Sequence, residues 1–121
     1  MKFTESQITG VLSSYAFSGE IAHDPGLMLY GLPAAGLSVN LSQKERQPLV
    51  DDLIKQLIEE GYVLPWGEEG VSGYREVVLT EKGLKCRSQV RRYQYTEEEL
   101  IVMQANAEEL DVELGSVGKS E

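Results

Sequence analysis

The chain has 121 residues and a formal net charge of −9, a length that predicts one domain with a modest core. It contains no apolar run of the roughly 20 residues needed to span a bilayer, and residues 1–10 are too polar for a signal peptide. With one cysteine and one histidine, the sequence excludes an intrachain disulfide and shows no metal-ligand spacing. We therefore expect a cytoplasmic protein that uses no membrane, metal or cofactor.

The first third of the chain begins with a helix signal and continues irregularly. Thr4 and Gln7 have the spacing of a capping box, and apolar residues follow at helical intervals, which predicts a helix over residues 4–17. Residues 18–37 combine glycines and prolines with large apolar side chains, so we predict an irregular apolar insertion that packs on the domain or on a partner. Residues 37–41 alternate apolar and polar side chains and form a candidate strand.

Two helices are predicted in the next stretch. Ser42 and Glu45 have capping-box spacing, which predicts a short helix over residues 42–46 that ends before Pro48. A longer helix is predicted over residues 48–60, because apolar pairs recur four residues apart and form one stripe. The stripe consists of Leu49, Val50, Leu53, Ile54, Leu57 and Ile58. We expect this stripe, with Leu53 and Leu57 at its centre, to face the core.

A strand pair and two further helices follow. The predicted elements are strands over residues 62–66 and 74–80 and helices over residues 81–93 and 97–113. The strands contain β-branched and aromatic residues on either side of the glycine-rich loop 67–73. Thr80 has the position of an N-cap, and Thr96 and Glu99 form a third capping-box pattern.

The last predicted helix carries a narrow apolar seam. Its members recur at three- and four-residue intervals and are Leu100, Met103, Ala107, Leu110 and Leu114. A seam of about two heptads is too short to hold a free coiled coil. We therefore expect it to pack on this domain or to form a homodimer.

Two segments of the chain resemble known regulators. Residues 57–63, with the sequence LIEEGYV, and residues 75–83, with the sequence REVVLTEKG, are similar to motifs of bacterial winged-helix regulators of the MarR and PadR kind. In those families the first motif ends the recognition helix and the second closes the wing. The resemblance implies a three-helix core, a DNA-reading helix at residues 48–60, a wing at residues 67–73 and dimerisation through terminal helices.

The predicted fold combines this resemblance with the pattern of elements. We expect a mostly helical α+β protein, a winged helix-turn-helix with a two- to three-stranded wing and extra C-terminal helices. Residues 1–95 would form the winged-helix domain, residues 96–114 a C-terminal dimerisation or packing helix, and residues 115–121 a flexible tail.

The charges on the predicted recognition helix favour a protein partner over DNA. Residues 48–79 carry two cationic and seven anionic side chains, a net −5, whereas DNA affinity comes largely from neutralising phosphates. Asp51 and Asp52 lie near the predicted start of the helix, where a DNA reader needs polar or cationic side chains. We predict a non-enzymatic regulatory or adaptor module whose acidic face contacts a basic protein. This face consists of Asp51, Asp52, Lys55, Gln56, Glu59, Glu68 and Glu69.

A dimeric DNA-binding transcriptional regulator is the alternative. Residues 80–95 carry five cationic side chains and one anionic side chain, a net +4. The candidate DNA contacts are Arg75, Lys82, Lys85, Arg87, Arg91 and Arg92. An enzyme is not predicted, because the sequence contains no nucleophile-elbow motif and no phosphate-binding glycine loop. Cys86, between two cationic residues, is either a redox-responsive thiol or a core side chain, and the core position is the commoner case.

Overall fold

A computed structural model describes residues 1–37, 41–66 and 75–114, apart from the side chains of Gln43 and of residues 108–114. In chain order the elements are α1 (Glu5–Leu12), β1 (Phe17–Ser18), β2 (Ile21–His23), α2, α3 (Gln43–Glu59), β3 (Val63–Pro65), β4 (Glu76–Leu79), α4 (Glu81–Ser88) and α5 (Glu97–Leu114). Helix α2 is a run of three consecutive pieces, Asp24–Gly26, Leu27–Gly31 with π-type hydrogen bonding, and Leu32–Ala34.

The described strands form one antiparallel sheet in the order β1-β2-β4-β3. Strand β4 lies between its two partners, with Val77 opposite both Ala22 of β2 and Pro65 of β3. Ala22 and Val77 are buried, so this face of the sheet belongs to the core. The predicted α+β class, with helices outnumbering strands, is confirmed.

The core lies between the sheet and helices α1, α2 and α3. Side chains from each of these elements are withdrawn from solvent, and they include Ile8, Val11, Leu12, Phe17, Leu27, Leu32, Val50, Leu53, Leu57, Val63 and Val77. Leu53 and Leu57 have no solvent exposure, which confirms the orientation predicted for the apolar stripe of α3. The spacing of apolar residues in the sequence therefore predicts correctly which face of α3 packs against the core.

Residues 18–37 pack on the domain as predicted, with Leu27, Met28 and Leu32 in the core, but the segment is regular and not irregular. The segment begins in the β1–β2 hairpin, whose turn contains Gly19 with a φ of +66°, and continues into α2. The β3–β4 pair thus has a third strand beside it, β2, which pairs with β4. Residues 38–40 lie outside the described part of the chain, and Leu37 and Leu41 are not in a strand.

The two helices predicted on either side of Pro48 are a single helix. Helix α3 begins at Gln43 with a capping box, in which Ser42 Oγ accepts from the Glu45 N–H and Glu45 Oε1 accepts from the Ser42 N–H. Pro48 removes one backbone donor inside the helix, which costs about 3 kcal/mol in a typical interior position. The cap at Ser42 stabilises the preceding turn, in which Arg46 is buried, and so offsets part of that cost.

The helices predicted over residues 4–17 and 81–93 end early, at Leu12 and Ser88. Ser13 and Ser14 follow α1 and donate their hydroxyls back to the carbonyls of Gly10 and Val11, which satisfies the helix end locally. Like the cap at Ser42, the predicted caps at Thr4, Thr80 and Thr96 are confirmed by their side-chain hydrogen bonds.

Candidate functional site

A groove runs between α3 and the β3–β4 pair and has a volume of about 540 Å³. Its floor is apolar and consists of Ile54, Ile58, Pro65, Trp66 and Val77. Its rim is charged and consists of Asp51, Lys55, Glu59, Arg75 and Glu76. We call this feature the groove.

The walls of the groove follow from local sequence. Ile54 and Ile58 are four residues apart on α3, so their side chains lie on the same face, one turn apart. Trp66 directly follows β3, and its backbone N–H donates to the Glu76 carbonyl over 2.8 Å, which fixes the end of the strand pair beside the helix. Trp66 is 48% exposed, an unusual position for the largest apolar side chain of the protein.

One end of the groove is crossed by an ionic clasp, which we define as Arg75 with Asp24 and Asp51. Arg75 Nε donates to Asp24 Oδ2 over 2.9 Å, and Nη2 donates to Asp51 Oδ1 over 2.5 Å. The clasp therefore joins the first residue of α2, the middle of α3 and the residue that directly precedes β4. Burial lowers the pKa of Arg75, but hydrogen bonds and charges from the two carboxylates outweigh burial and raise the pKa above its ordinary value.

Asp24 has a special position in this clasp. Its side chain is only 14% exposed, and its Oδ1 atom is buried without a hydrogen-bond partner in the described part of the chain. Burying a carboxylate costs free energy unless the charge is paired and hydrogen-bonded. For Asp24, the ion pair with Arg75 offsets this cost. Next to the clasp, His23 Nε2 lies 2.6 Å from Glu76 Oε2.

The predicted acidic face divides into engaged and open positions. Asp52 Oδ2 accepts from the N-terminal ammonium of Met1 over 2.8 Å, so its charge is partly compensated. Lys55 and Glu59 are exposed on the rim of the groove. Glu68 and Glu69 lie outside the described residues.

Gln56 does not belong to the exposed face to which the sequence prediction assigned it. Its side chain is buried, and its amide both donates to the Phe3 carbonyl and accepts from the Phe3 N–H, each over 2.7 Å. It also donates to Glu60 over 3.0 Å. The physical reason is that a side-chain amide can pair with a passing backbone in the way a strand does, so Gln56 fixes the N-terminal segment on α3.

The predicted DNA-contacting cations are dispersed over the molecule. Lys82 Nζ donates to the Glu60 carbonyl over 2.6 Å and lies 4.5 Å from the centre of the Tyr62 ring. Arg87 donates to the Gly19 carbonyl in the β1–β2 turn. The remaining members of the set are Lys85 and Arg91, which are exposed, and Arg92, which stacks over the Tyr15 ring at 4.2 Å. Only Arg75 of this set lines the groove.

Four tyrosines hold the segment between α4 and α5 on the domain. Tyr15, Tyr30, Tyr93 and Tyr95 contact one another ring to ring, with centroids 4.8–6.3 Å apart. Tyr95 Oη donates to the Tyr30 carbonyl over 3.1 Å, and burial raises the pKa of Tyr95 to about 12. This contact fixes the point from which α5 departs.

The predicted seam of α5 is divided between core and surface. Met103 is buried against α2, whereas Leu100 is 51% exposed and Ala107 is half-buried. Ile101, which the seam did not include, is 65% exposed. The side chains of Leu110 and Leu114 lie outside the described part of the chain.

The described residues provide neither a membrane-spanning helix nor a metal-binding cluster. None of their helices is long and apolar enough to cross a membrane, and no cluster of three or more His, Cys, Asp or Glu side chains among them could hold a metal ion. Cys86 is half-buried and lies 3.5 Å from the hydroxyl of Thr9.

Comparisons with protein-family models, curated proteins and solved structures find no match to this chain.

The sequence missed several residues of the groove as functional candidates. Trp66 was assigned only to a strand, and Asp24 only to an irregular insertion. Ile54 and Ile58 were assigned to the core stripe, although they lie at its edge, where the groove opens. The width of the apolar stripe on α3 could have indicated the groove. Six of the ten residues 49–58 are apolar, and they cover more of the helix surface than one neighbouring layer can bury.

Proposed function

We propose that this protein is a non-enzymatic winged-helix module that acts as an adaptor or regulator, binding a basic protein partner through the groove and the acidic side chains around it. The order of elements supports the winged-helix assignment. Helix α1 is followed by strands β1 and β2, helices α2 and α3, and the strand pair β3–β4, with β2 paired to β4 and β1 added at the outer edge of β2. That order and that pairing are the ones expected of a three-helix core with a wing.

The observation that carries the proposal is the apolar floor of the groove, bordered by carboxylates, on the face of α3 beside the wing. DNA-binding surfaces are polar and strongly cationic, since they must neutralise phosphates. Here the rim combines Asp51, Glu59 and Glu76 with two cations. Exposed apolar surface with a charged rim is typical of protein–protein contact sites.

The distribution of cations supports the same proposal. Arg75, the residue that matches the winged-helix motif, already binds two carboxylates. Lys82 and Arg87 donate to backbone carbonyls, and Arg92 lies over a tyrosine ring. Contacting DNA through these side chains would first require breaking contacts within the protein.

The experiment is an affinity capture from the host with matched charge reversals. Asp52→Lys with Glu59→Lys reverses two acids on the α3 face, and Glu97→Lys with Glu98→Lys makes the same change in net charge at the start of α5. A basic protein retained by the unmodified chain should be lost with the α3 variant and kept with the α5 variant. Equal capture by both variants would contradict the proposal. Asp51 is left unchanged, because removing it would also disturb the clasp.

A DNA-binding regulator remains the second candidate, and one observation favours it. Helix α3 begins at Gln43, so its first turns carry Lys44 and Gln47 in place of Asp51 and Asp52, with one acid, Glu45, whose carboxylate accepts from the Ser42 N–H. Lys44 is exposed and Gln47 is half-exposed. Titration of random duplex at low and moderate salt tests this reading, with Lys44→Ala and Gln47→Ala as variants. Binding that survives moderate salt and is lost in these variants would establish it.

We also propose that the protein is a homodimer that uses α5. Leu100 and Ile101 are both exposed on this helix, and Leu100 lines one surface depression with the exposed Tyr15. Large apolar side chains exposed together on one helix favour association with another surface. A second copy of the chain offers the same surface and forms a symmetric contact.

A further inference from the structure

We propose that the groove receives a linear segment of the partner, in which large apolar side chains alternate with Lys or Arg. The inference rests on the proposed function and specifies the chemistry of the partner at that site. The apolar side chains would occupy the floor, and the cations would pair with carboxylates on the rim.

The size of the groove supports an inserted segment over a flat contact. Its volume of about 540 Å³ lies within the range of about 300–1,000 Å³ that is typical of sites enclosing a ligand. Such a space is larger than one side chain and accommodates a short stretch of chain. Both walls are regular elements, a helix on one side and a strand pair on the other, and such grooves bind amphipathic segments in several recognition modes.

The floor determines that the segment must be partly apolar. Ile54 and Val77 are nearly buried parts of the floor, whereas Trp66 is 48% exposed and supplies apolar surface that a partner can cover. Apolar side chains of a segment would transfer this apolar surface from water into an apolar environment, which is favourable. A purely polar segment would not gain this free energy. Exposed tryptophan is enriched among the residues that contribute most to protein–protein affinity.

The rim favours a segment that is also cationic. Three carboxylates, those of Asp51, Glu59 and Glu76, line the groove with two cationic side chains, Lys55 and Arg75. Glu59 is exposed and forms no ion pair in the described part of the chain, so its charge is available to a partner. Charge complementarity of this kind selects the sign of the partner and speeds association.

The only tryptophan of the chain lies in the groove, which provides a direct measurement of occupancy. Three short peptides without Trp or Tyr serve as probes, composed of Leu with Lys, Ser with Lys, and Leu with Glu. We expect the Leu–Lys peptide to shift the Trp66 emission to shorter wavelength in a saturable way and to bind at least about tenfold more tightly than the other two. Glu59→Lys should weaken this binding, and Glu98→Lys, the matched control, should leave it unchanged.

The outcomes separate this inference from the proposed function. If the Ser–Lys peptide binds as tightly as the Leu–Lys peptide and Glu59→Lys weakens both, the acidic face binds cations and only the groove inference is overturned. If the Leu–Glu peptide binds as tightly as the Leu–Lys peptide, the rim has no selectivity and the inference is again overturned. If neither cationic peptide binds, or if Glu59→Lys has no effect, the proposed function fails as well.

Discussion

The clasp around Arg75 leads to a quantitative prediction about stability. Replacing Arg75 by Gln removes both ion pairs and leaves Asp24 with 14% of its side chain exposed and no cationic partner. Breaking a fully buried pair costs about 3–5 kcal/mol, whereas an exposed pair contributes about 0–1 kcal/mol. Because Arg75 itself is 37% exposed, we expect an intermediate loss of about 1–3 kcal/mol in the free energy of unfolding.

The two carboxylates of the clasp should contribute unequally. Asp51 is 50% exposed, so Asp51→Asn should cost less than about 1 kcal/mol. Urea unfolding of Arg75→Gln, Asp24→Asn and the double variant gives the coupling energy between the two side chains. A coupling energy near zero, or an equal loss for Asp51→Asn and Asp24→Asn, would refute the clasp. Arg75 would then be free to contact a ligand such as DNA.

Four further predictions concern packing, the tyrosine cluster and assembly. Leu57→Ala should lower the free energy of unfolding by about 2–5 kcal/mol in urea, because the side chain has no solvent exposure. Gly83→Ala should lower the thermal midpoint, since its Cβ would lie 2.3 Å from the Tyr62 carbonyl oxygen, and overpacking of about 1–3 kcal/mol exceeds the helix-propensity gain of about 1 kcal/mol. The pKa of Tyr95 is raised to about 12, so its contribution to stability is complete below pH of about 10, where the unfolded chain ionises, and is lost as pH rises to about 12. Alkaline unfolding of Tyr95→Phe should lack this part of the pH dependence. Light scattering should find a dimer for the whole chain and a monomer for a chain that ends at Tyr95.

Each of these predictions has an outcome that contradicts it. An unchanged urea midpoint for Leu57→Ala would place the wrong face of α3 in the core. Stabilisation by Gly83→Ala would mean that α4 lies further from Tyr62 than the structure indicates. An identical alkaline profile for Tyr95→Phe would assign the pH dependence to other tyrosines, and a whole chain that remains monomeric at high micromolar concentration would rule out the homodimer.

The elements that the sequence predicted well are those with local signals. Helix α3 ends at Glu59 near its predicted end, because Gly61 takes a φ of +82° that other residues adopt only with strain. The strands β3 and β4 lie within the predicted ranges, and Thr80 caps α4 as expected. Helical periodicity, capping side chains and glycine turns act over a few residues, so they can be read from the chain directly.

The elements that the sequence missed depend on distant contacts. Strands β1 and β2 have two and three residues, too few for an alternating pattern to be recognised. Strand β2 exists because it pairs with β4, more than fifty residues later in the chain, as Ala22 opposite Val77 shows. The prediction at Pro48 failed for a related reason, since a rule about neighbouring residues was outweighed by the cap at Ser42 and the packing around it.

The candidate site was predictable only in part. The acidic character of α3 follows from counting residues, but Asp24 and Arg75 are 51 residues apart and no local pattern connects them. The same holds for Gln56 and Phe3, which are 53 residues apart and meet through a side-chain amide. Contacts of this kind require the fold, and they change which charges remain available to a partner.

The long-range ion pairs of α3 reduce the negative charge that its surface presents to DNA or to a protein partner. The excess of acids on α3 overstates the acidity of its surface, because Asp51 pairs with Arg75 and Asp52 pairs with the N-terminal ammonium. Among Asp51, Asp52 and Glu59, the last residue of α3, Glu59 is the one that forms no ion pair in the described part of the chain. Net charge alone therefore separates the two candidate functions weakly. The apolar floor separates them more strongly, because a phosphate backbone gains nothing from an apolar groove, whereas a protein segment gains by filling it.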